Sequence, residues 1–287
     1  MTGDLLKSIE ERMPAFSKGQ KRIAGYILEN FDKAAYMTAS RLSGIVGVSE
    51  STVVRFAIEL GFDGYPEFQS SLQTLMRNRL TSVQRMEVSN QLIGDGNVLD
   101  KVLLSDADRI RHTLDSIDKN SFEQAIDRIV GAKNIYILGV RSSSYLAGSL
   151  AYYLRMIFDR VKLLQSTSGS ELFEQLLQIR EGDVMIAISF PRYSTRVINA
   201  VEYAHNRKAD IVALTDSTES PLAPLADQLL IAKSDMASFV DSLVAPLSII
   251  NAMIVAVSRR EQETLANRLR ELEEVWDLYN VYDKKNP

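Results

Sequence analysis

The second half of the chain alternates five short apolar runs with longer segments of helical periodicity. The runs are rich in Ile, Val and Leu and lie at 134–138, 161–164, 184–189, 211–215 and 228–231. Strands that are apolar on both faces, with helices between them, form parallel sheets covered by helices on both sides. The sequence therefore predicts a three-layer α/β domain with a five-stranded parallel sheet.

The first 78 residues show no such runs and instead place apolar side chains at helical spacing, as at Ile23 and Ile27. A glycine, Gly47, separates two short helical segments, which is the layout of a helix-turn-helix. Hydroxyl side chains that favour helix starts precede three of the segments, at Ser17, Thr38 and Ser49. The sequence predicts an all-α helix-turn-helix bundle here.

The segment after Ser49 has two different faces. Val53 and Ala57 belong to an apolar stripe, whereas Ser51, Thr52 and Arg55 lie near the start of the opposite face. Recognition helices present their N-terminal residues to DNA bases in this way, and Arg pairs bidentately with guanine. A small helical bundle with a solvated face has the same spacing, so the pattern alone leaves both interpretations open.

Three strings make the first interpretation specific. KGQKRIAGYILEN at 18–30, VSESTVVRF at 48–56 and LGFDGYPEF at 60–68 together resemble the RpiR-type helix-turn-helix. The resemblance covers about 75 residues and implies binding to a double-stranded, pseudo-palindromic DNA operator by a homodimer or homotetramer. The residues that we predict to contact DNA are Lys18, Lys21, Thr38, Ser49, Ser51, Thr52 and Arg55.

Hydroxyl-rich loops follow three of the predicted strands, at 141–144, 167–170 and 189–195. In open parallel sheets, ligands bind beyond the carboxyl ends of the strands, and helix N-termini there favour anions. Each loop taken singly is more simply explained as ordinary helix capping. Because three occur, and two carry an Arg suited to clamp a phosphate or carboxylate, we predict an anion site formed by Arg141, Ser142, Ser143, Ser189, Arg192, Ser194 and Thr195.

The region from about 100 to 257 resembles the sugar isomerase (SIS) domain, which binds phosphosugars. Gly139, Ser143 and Ala147 match its first loop, but Arg141 replaces a second glycine. In its other hallmark loop Ser189 matches, Pro191 and Arg192 replace a Ser-Gly pair, and Ser194 stands for a Thr. The resemblance implies phosphosugar contact by the three serines, and the two arginines favour a phosphosugar or sugar-acid effector.

The expected organisation is a DNA-binding domain at 1–78, a polar linker at 79–99, a SIS domain at 100–258 and a C-terminal amphipathic helix and tail at 259–287. The linker ends in a Gly-rich stretch, and part of it could prolong a helix. The C-terminal helix has two open roles, packing on its own domain or pairing with a partner.

Composition excludes several classes of protein. The absence of Cys rules out disulfides and thiolate chemistry, and with only two His residues we expect no metal site and no cofactor. No apolar run has the length of a membrane span and no signal-peptide pattern is present, so a cytoplasmic protein without membrane association is expected. Residues 1–85 carry 11 Lys and Arg against 9 Asp and Glu, a net charge of +2, within an overall charge of −4.

These observations predict a transcriptional regulator of carbohydrate metabolism that is not an enzyme. One rival is a sugar-phosphate isomerase with a helical appendage, for which Glu171 is the best candidate base, since His112 and His205 lie away from the strand ends. A ligand-free structural DNA-binding protein is the other rival. A dinucleotide-binding enzyme is a weaker alternative, because the first loop has one of the three glycines of that motif.

Overall fold

The computed structural model describes residues 5–79, 81–93, 97–165, 168–235 and 238–282. The chain forms two compact units, Met1–Leu92 and Ile93–Pro287. The polar stretch that was expected to link two domains, 79–99, contains a helix at Ser82–Ile93.

The first unit is all-α, as expected. Its helices are α1 (Leu5–Arg12), α2 (Lys18–Glu29), α3 (Phe31–Ala34), α4 (Ala39–Val46), α5 (Glu50–Glu59), α6 (Tyr65–Arg79) and α7 (Ser82–Ile93), with a 3₁₀ turn at Met13–Ala15. The three predicted N-caps are confirmed, because the hydroxyls of Ser17, Thr38 and Ser49 each accept a backbone N–H from the turn that follows. Local hydrogen bonding therefore sets where these helices begin.

Aromatic packing fixes the inner face of α5. Phe56 is fully buried, and its ring centroid lies 5.2 Å from that of Phe16 and 5.8 Å from that of Phe68, both edge to face. Such pairs contribute about 0.5–1.5 kcal/mol beyond the area they bury. Because this face of α5 is locked into the core, the opposite face is held toward solvent.

Tyr65 attaches α6 to the segment before α4. Its hydroxyl donates a 2.7 Å hydrogen bond to the carbonyl oxygen of Met37, which also accepts a 2.8 Å bond from Gln69. Burial raises the pKa of the Tyr65 phenol to about 12. The folded state therefore holds this proton more tightly than the unfolded chain, so the stabilisation is complete below about pH 10 and is lost as the pH rises through about 12.

We expect Tyr65→Phe to lower the free energy of unfolding by about 1 kcal/mol, because it removes one buried hydrogen bond while Gln69 still satisfies the carbonyl. Urea unfolding of the full chain at pH 7 measures the change. The matched control is Tyr26→Phe, since the Tyr26 hydroxyl reaches only the sulfur of Met37 at 3.9 Å. Equal losses in the two variants would contradict the assignment.

The second unit is an α/β domain. Its elements are α8 (Val98–Ser116), α9 (Lys119–Gly131), β1 (Ile135–Gly139), α10 (Ser143–Arg155), β2 (Val161–Leu164), α11 (Gly169–Leu176), β3 (Val184–Ile188), α12 (Thr195–Asn206), β4 (Asp210–Thr215), β5 (Gln228–Ile231), α13 (Val244–Arg260) and α14 (Gln262–Leu278), with a 3₁₀ turn at Ala223–Leu225. The five strands are all parallel, in the order β2-β1-β3-β4-β5. The predicted five-stranded parallel sheet is confirmed.

Two apolar cores cover the sheet, one on each face. Helices α9, α10 and α13 contribute to the first core, and α11 and α12 to the second. Every residue of β1 and β3 is buried, as expected for central strands of a doubly covered sheet. The three-layer architecture follows from this alternation.

An aspartate, and not the nearby Ser121, caps α9. The helix begins at Lys119, where the carboxylate of Asp118 accepts the backbone N–H groups of Asn120 and Ser121. The Ser121 hydroxyl instead donates to the side-chain oxygen of Gln228 at 3.0 Å and accepts the N–H of Leu229 at 3.2 Å. Asp favours the cap position as strongly as Ser, and the hydroxyl is needed to attach α9 to β5.

No helix within the described residues combines the length and the apolar character needed to cross a membrane. Helix α14 has no buried residue, although Leu265 in its first turn packs against the core. Arg268 of α14 also pairs with Asp159 at 2.7 Å, so this helix contacts its own domain, and pairing with a partner stays a prediction.

Candidate functional sites

Helices α4 and α5 form the helix-turn-helix, and the turn between them requires glycine. Gly47 has φ of +69°, and a Cβ at this position would lie 2.8 Å from Nη2 of Arg22. Arg22 donates a 3.1 Å hydrogen bond to the Gly47 carbonyl oxygen, so α2 holds the turn. Arg22 could not be assigned this role from the sequence, because the carbonyl group that it contacts lies 25 residues away.

The outer face of α5 presents the predicted recognition residues. Ser49, Ser51 and Arg55 are exposed and Thr52 is half-buried, whereas Val53 is fully buried on the opposite face. The Ser49 hydroxyl lies 2.9 Å from that of Ser51 and 2.8 Å from that of Thr52. A cluster of hydroxyls therefore precedes the guanidinium of Arg55 along the exposed face.

The basic residues predicted to contact DNA lie in the first turn of α2, which packs against α5. A Cβ on Gly19 would be 3.3 Å from the methyl group of Thr52, so the first turn of α2 packs against the first turn of α5. Lys18 and Lys21 belong to the same turn as Gly19 and are exposed. Thr38 is also exposed and caps α4 by accepting the N–H of Arg41 at 3.2 Å. The arrangement can place cations and hydroxyls against one phosphate backbone.

The loop after β1 begins with a close approach of strand and helix. A Cβ on Gly139 would lie 2.4 Å from the carbonyl oxygen of Ser143, so only glycine fits. Arg141 follows with φ of +55°, in the left-handed region that glycine normally occupies. Arg141 stands where the SIS pattern has a glycine, and its backbone keeps the conformation that a glycine would adopt. Its exposed side chain gives the loop a guanidinium group that a glycine would not provide.

The loop after β3 repeats this feature. Ser189 is buried and its N–H donates to the carbonyl oxygen of Leu214 at 3.1 Å, while Arg192 is exposed with φ of +61°. Non-glycine residues in this region carry strain of order 1–3 kcal/mol, and such strain concentrates at functional sites. Two of the four described non-glycine residues with positive φ therefore lie in the β1 and β3 loops, which contain all the predicted ligand contacts.

Sheet topology brings these two loops together. Gly139 pairs with Ile188, so the β1 and β3 loops leave adjacent strand ends. The chain continues from β1 to β2 on one side of the sheet and from β3 to β4 and β5 on the other side. The position between β1 and β3 is therefore the topological switch point, where ligands bind in open parallel sheets. The loop after β2 leaves from the edge strand, and its Thr167 lies outside the described residues.

Helix capping distinguishes the loop after β2 from the loops after β1 and β3. Ser168 accepts the N–H of Glu171 at 3.2 Å, which is ordinary capping. Ser142 and Ser194 occupy the N-cap positions of α10 and α12, but neither side chain makes a cap hydrogen bond. Among the described helices that a Ser or Thr precedes, the side chains that do cap include Ser17, Thr38, Ser49, Thr81 and Ser168. The hydroxyls of Ser142 and Ser194 are thus not used for capping, whereas the N–H groups of Ser143, Ser144 and Tyr145 at the start of α10 donate to backbone carbonyls of the same loop.

Two residues at this edge had been given no role from the sequence. Tyr193 donates a 2.6 Å hydrogen bond to the carboxylate of Asp216, which is buried at the end of β4. The same carboxylate oxygen lies 3.3 Å from the hydroxyl of Thr215. Asp216 directly follows the end of a predicted strand, and this position is the feature of the sequence that could have indicated a role at the site. The contact ties the β3 loop to β4 next to Arg192.

The described residues contain no cluster of three or more His, Asp, Glu or Cys side chains that could hold a metal ion. His112 and His205 are exposed on α8 and α12. Glu171 is exposed in the first turn of α11, where a carboxylate complements the helix dipole. The two loops carry hydroxyls and two guanidinium groups, which are the groups that suit an anion.

Comparison with known protein families gives one match in each of the two units of the chain. The helix-turn-helix domain of the rpiR family matches residues 3–79, and the SIS domain matches residues 128–256. Both families were expected from the sequence strings.

Relatives extend over nearly the whole chain. An uncharacterised HTH-type transcriptional regulator of Caldanaerobacter subterraneus is 24% identical, with 97% of this chain and 99% of the relative covered. The HTH-type transcriptional regulator HexR of Pseudomonas aeruginosa is 23% identical, with 94% and 95% covered. Among solved structures, the Vibrio vulnificus NanR protein complexed with ManNAc-6P is 25% identical with a TM-score of 0.60, and 96% of this chain and 98% of that chain are covered. The sugar isomerase domain of an RpiR transcription factor from Sphaerobacter thermophilus is 28% identical with a TM-score of 0.58, covering 61% of this chain and 97% of that one.

Proposed function

The chain belongs to the RpiR family of helix-turn-helix transcriptional regulators, and from this premise we propose that its SIS domain senses a phosphorylated or acidic sugar and controls DNA binding by α4 and α5. The proposed regulator acts in the cytoplasm on genes of carbohydrate metabolism. It binds a pseudo-palindromic operator as a homo-oligomer, with half-sites separated by whole helical turns of about 34 Å.

One observation carries the sensing proposal. Each of the two loops at the switch point of the sheet leads into a helix whose N-cap serine makes no side-chain cap hydrogen bond, and each contains an arginine in the left-handed backbone region. Helix N-termini and hydroxyls suit phosphate oxygens, and guanidinium groups suit phosphate or carboxylate. The proposed contacts are Arg141, Ser142, Ser143, Ser189, Arg192, Ser194 and Thr195. The NanR relative, solved with the sugar phosphate ManNAc-6P, supports the same ligand class.

Ligand binding would act on DNA affinity by population shift. A ligand changes a conformational equilibrium only by its difference in affinity for the two states. The proposed ligand therefore binds the DNA-bound and DNA-free forms of the regulator with unequal affinity, and by linkage DNA changes the affinity for the ligand by the same factor.

Thermal unfolding of the full chain tests the proposal. The panel should contain ManNAc-6P, other hexose 6-phosphates, phosphorylated aldonic acids, the unphosphorylated sugars and inorganic phosphate. A ligand at 100 times its Kd is expected to add about 2.7 kcal/mol to the stability of the native state. The same ligand should then change the affinity for an operator selected in vitro from random duplexes.

The alternatives predict different results. A sugar-phosphate isomerase with a helical appendage would convert a panel member between aldose and ketose and would show little salt-dependent DNA affinity. A ligand-free structural DNA-binding protein would show steep salt dependence and no stabilisation by any panel member. Either outcome would replace the proposed function.

A further inference from the structure

The loop after β4 begins beside the loop after β3. Strands β3 and β4 pair along their length, with Ile188 opposite Leu214, so the chain leaves both strands at neighbouring points of the same sheet edge. The backbone N–H of Ser189 also donates to the carbonyl oxygen of Leu214 at 3.1 Å. Asp216 is the first residue after β4 and is not among the proposed ligand contacts. Its position is therefore next to the loop that carries Arg192.

Asp216 places a buried carboxylate at this edge. The residue is 4% exposed, and its neighbours Thr215 and Ser220 are buried as well. The Thr215 hydroxyl lies 3.3 Å from the carboxylate oxygen Oδ1 of Asp216 and 2.9 Å from the Ser220 hydroxyl, which accepts the backbone N–H of Leu222. A charged group is buried only where partners hold it, since burial without them costs free energy. The carboxylate is therefore a fixed point of the domain.

Tyr193 attaches the β3 loop to this fixed point. Its hydroxyl donates to Oδ1 of Asp216 at 2.6 Å, across 23 residues of the chain. The distance is that of a charge-assisted O–H···O⁻ hydrogen bond, about 2.5–2.7 Å, which is roughly twice as strong as a neutral one. Tyr193 lies directly between Arg192 and Ser194, which are both proposed ligand contacts. The hydrogen bond therefore acts on the segment of the loop that carries them.

The β3 loop needs a tertiary contact at this point. Phe190 and Pro191 are buried, whereas Arg192 is exposed with φ of +61°. A non-glycine residue in this conformation carries strain and keeps it only where the surrounding structure holds the backbone. Ser194 makes no side-chain cap hydrogen bond at the start of α12, so capping by its hydroxyl does not hold the loop. The Tyr193 hydroxyl supplies such a contact from the adjoining position.

We propose that Tyr193 is a positioning residue of the ligand site, whose hydrogen bond to Asp216 holds Arg192 in place for the anion. The inference rests on the proposed function, because it requires an anionic ligand at these loops. A group that is already in place binds without the cost of ordering it, so affinity depends on a side chain that acts through Arg192. The carboxylate of Asp216 provides the anchor, while its negative charge opposes any anion nearby.

Titration of the full chain is the first test, and its probes are inorganic phosphate and each sugar phosphate and phosphorylated aldonic acid of the panel. Tyr193→Phe should raise the dissociation constant of the bound probe about 10-fold, because the probe must then order the loop itself. The matched control is Thr215→Val, which removes the other hydroxyl on the same carboxylate oxygen and leaves the contact between the two loops.

The two variants separate stability from binding. Each loses one buried hydrogen bond, so both should lower the thermal stability of the probe-free chain. Only Tyr193→Phe should weaken the binding of the probe. Equal effects of the two variants on binding, or unchanged binding in Tyr193→Phe, overturn the proposal.

Asp216→Asn separates the hydrogen bond from the charge. The amide oxygen of Asn still accepts the Tyr193 hydroxyl, while the negative charge is removed. This variant should bind the probe at least as tightly as the wild-type chain, because the contact remains and the repulsion does not. A loss of affinity would assign the carboxylate a direct contact with the probe and would overturn the positioning role.

A double variant tests whether Tyr193 acts through Arg192. Tyr193→Phe combined with Arg192→Gly should bind the probe no more weakly than Arg192→Gly alone, since the group to be positioned is gone. If the two losses multiply, Tyr193 contributes independently of Arg192 and the proposal fails. The inference and its premise fail differently. A wild-type chain that binds no probe removes the proposed function, and the inference falls with it. A wild-type chain that binds a probe as tightly as Tyr193→Phe removes the inference alone.

Discussion

Replacing Arg141 with glycine is expected to weaken binding of the anionic ligand by about 10- to 100-fold without lowering the stability of the fold. The loss corresponds to one charge-assisted hydrogen-bonding group, which contributes about 1.5–3 kcal/mol. Stability should hold or rise because φ is +55° at this position, where glycine fits without strain. Binding and stability therefore change in opposite directions, which a merely structural role for Arg141 does not predict.

The measurement is ligand titration of the full chain, with thermal unfolding of the ligand-free protein recorded in parallel. The matched control is Lys208→Gly, because Lys208 also has positive φ, +61°, but lies in the turn before β4, at the other end of the strands. The control should show the same relief of strain and an unchanged Kd. If Arg141→Gly binds the ligand as tightly as the wild type, Arg141 has no place in the site.

Arg192→Gly extends the comparison to the second loop. Arg192 has φ of +61°, so glycine again preserves the backbone while removing the guanidinium. Loss of response in both variants would support a clamp formed by two cations. Loss in one alone would assign the anion to a single loop.

Strands and helix starts could be predicted because their causes are local. The apolar runs at 161–164 and 228–231 coincide with the observed β2 and β5, and the hydroxyls of Ser17 and Ser49 cap the helices that follow them. The order of the strands depends on pairings between distant residues, as between Gly139 and Ile188. Position along the chain gives no direct measure of such pairings.

The residue types of the candidate site could be predicted from the sequence, but their geometry could not. The sequence alone could not distinguish Ser168, which caps its helix, from Ser194, which does not, because both are serines before a helix. Nor could it show that Arg141 keeps a glycine-like backbone. Helix α8 shows the same limit, since the side it buries carries Arg109 and Thr113 rather than its leucines. Hydrogen-bond partners more than a hundred residues away decide that orientation.

Replacing Arg55 with alanine is expected to weaken operator binding by about 5- to 150-fold, the cost of about 1–3 kcal/mol for one bidentate base contact. Arg55 is exposed on α5, and its Nε donates to the Ser51 carbonyl oxygen at 3.2 Å, which directs the guanidinium along the outer face. Because the inner face is held by Phe56 and its aromatic neighbours, the fold should be unaffected. Fluorescence anisotropy on an operator selected in vitro measures the affinity.

The salt dependence of binding separates base contact from simple charge. Arg55→Ala should relax sequence preference at one base pair of each half-site, whereas Lys18→Ala or Lys21→Ala should weaken binding to all duplexes and reduce the salt slope by about one. Lys7→Ala is the matched control, since Lys7 is an exposed cation on α1 paired with Glu11 and removes the same charge away from α5. If Arg55→Ala and Lys7→Ala reduce affinity equally and leave sequence preference intact, α5 is not the recognition helix. If Arg55→Ala alone shifts the selected sequence, the exposed face of α5 reads bases, and the hydroxyls of Ser51 and Thr52 are the next positions to vary.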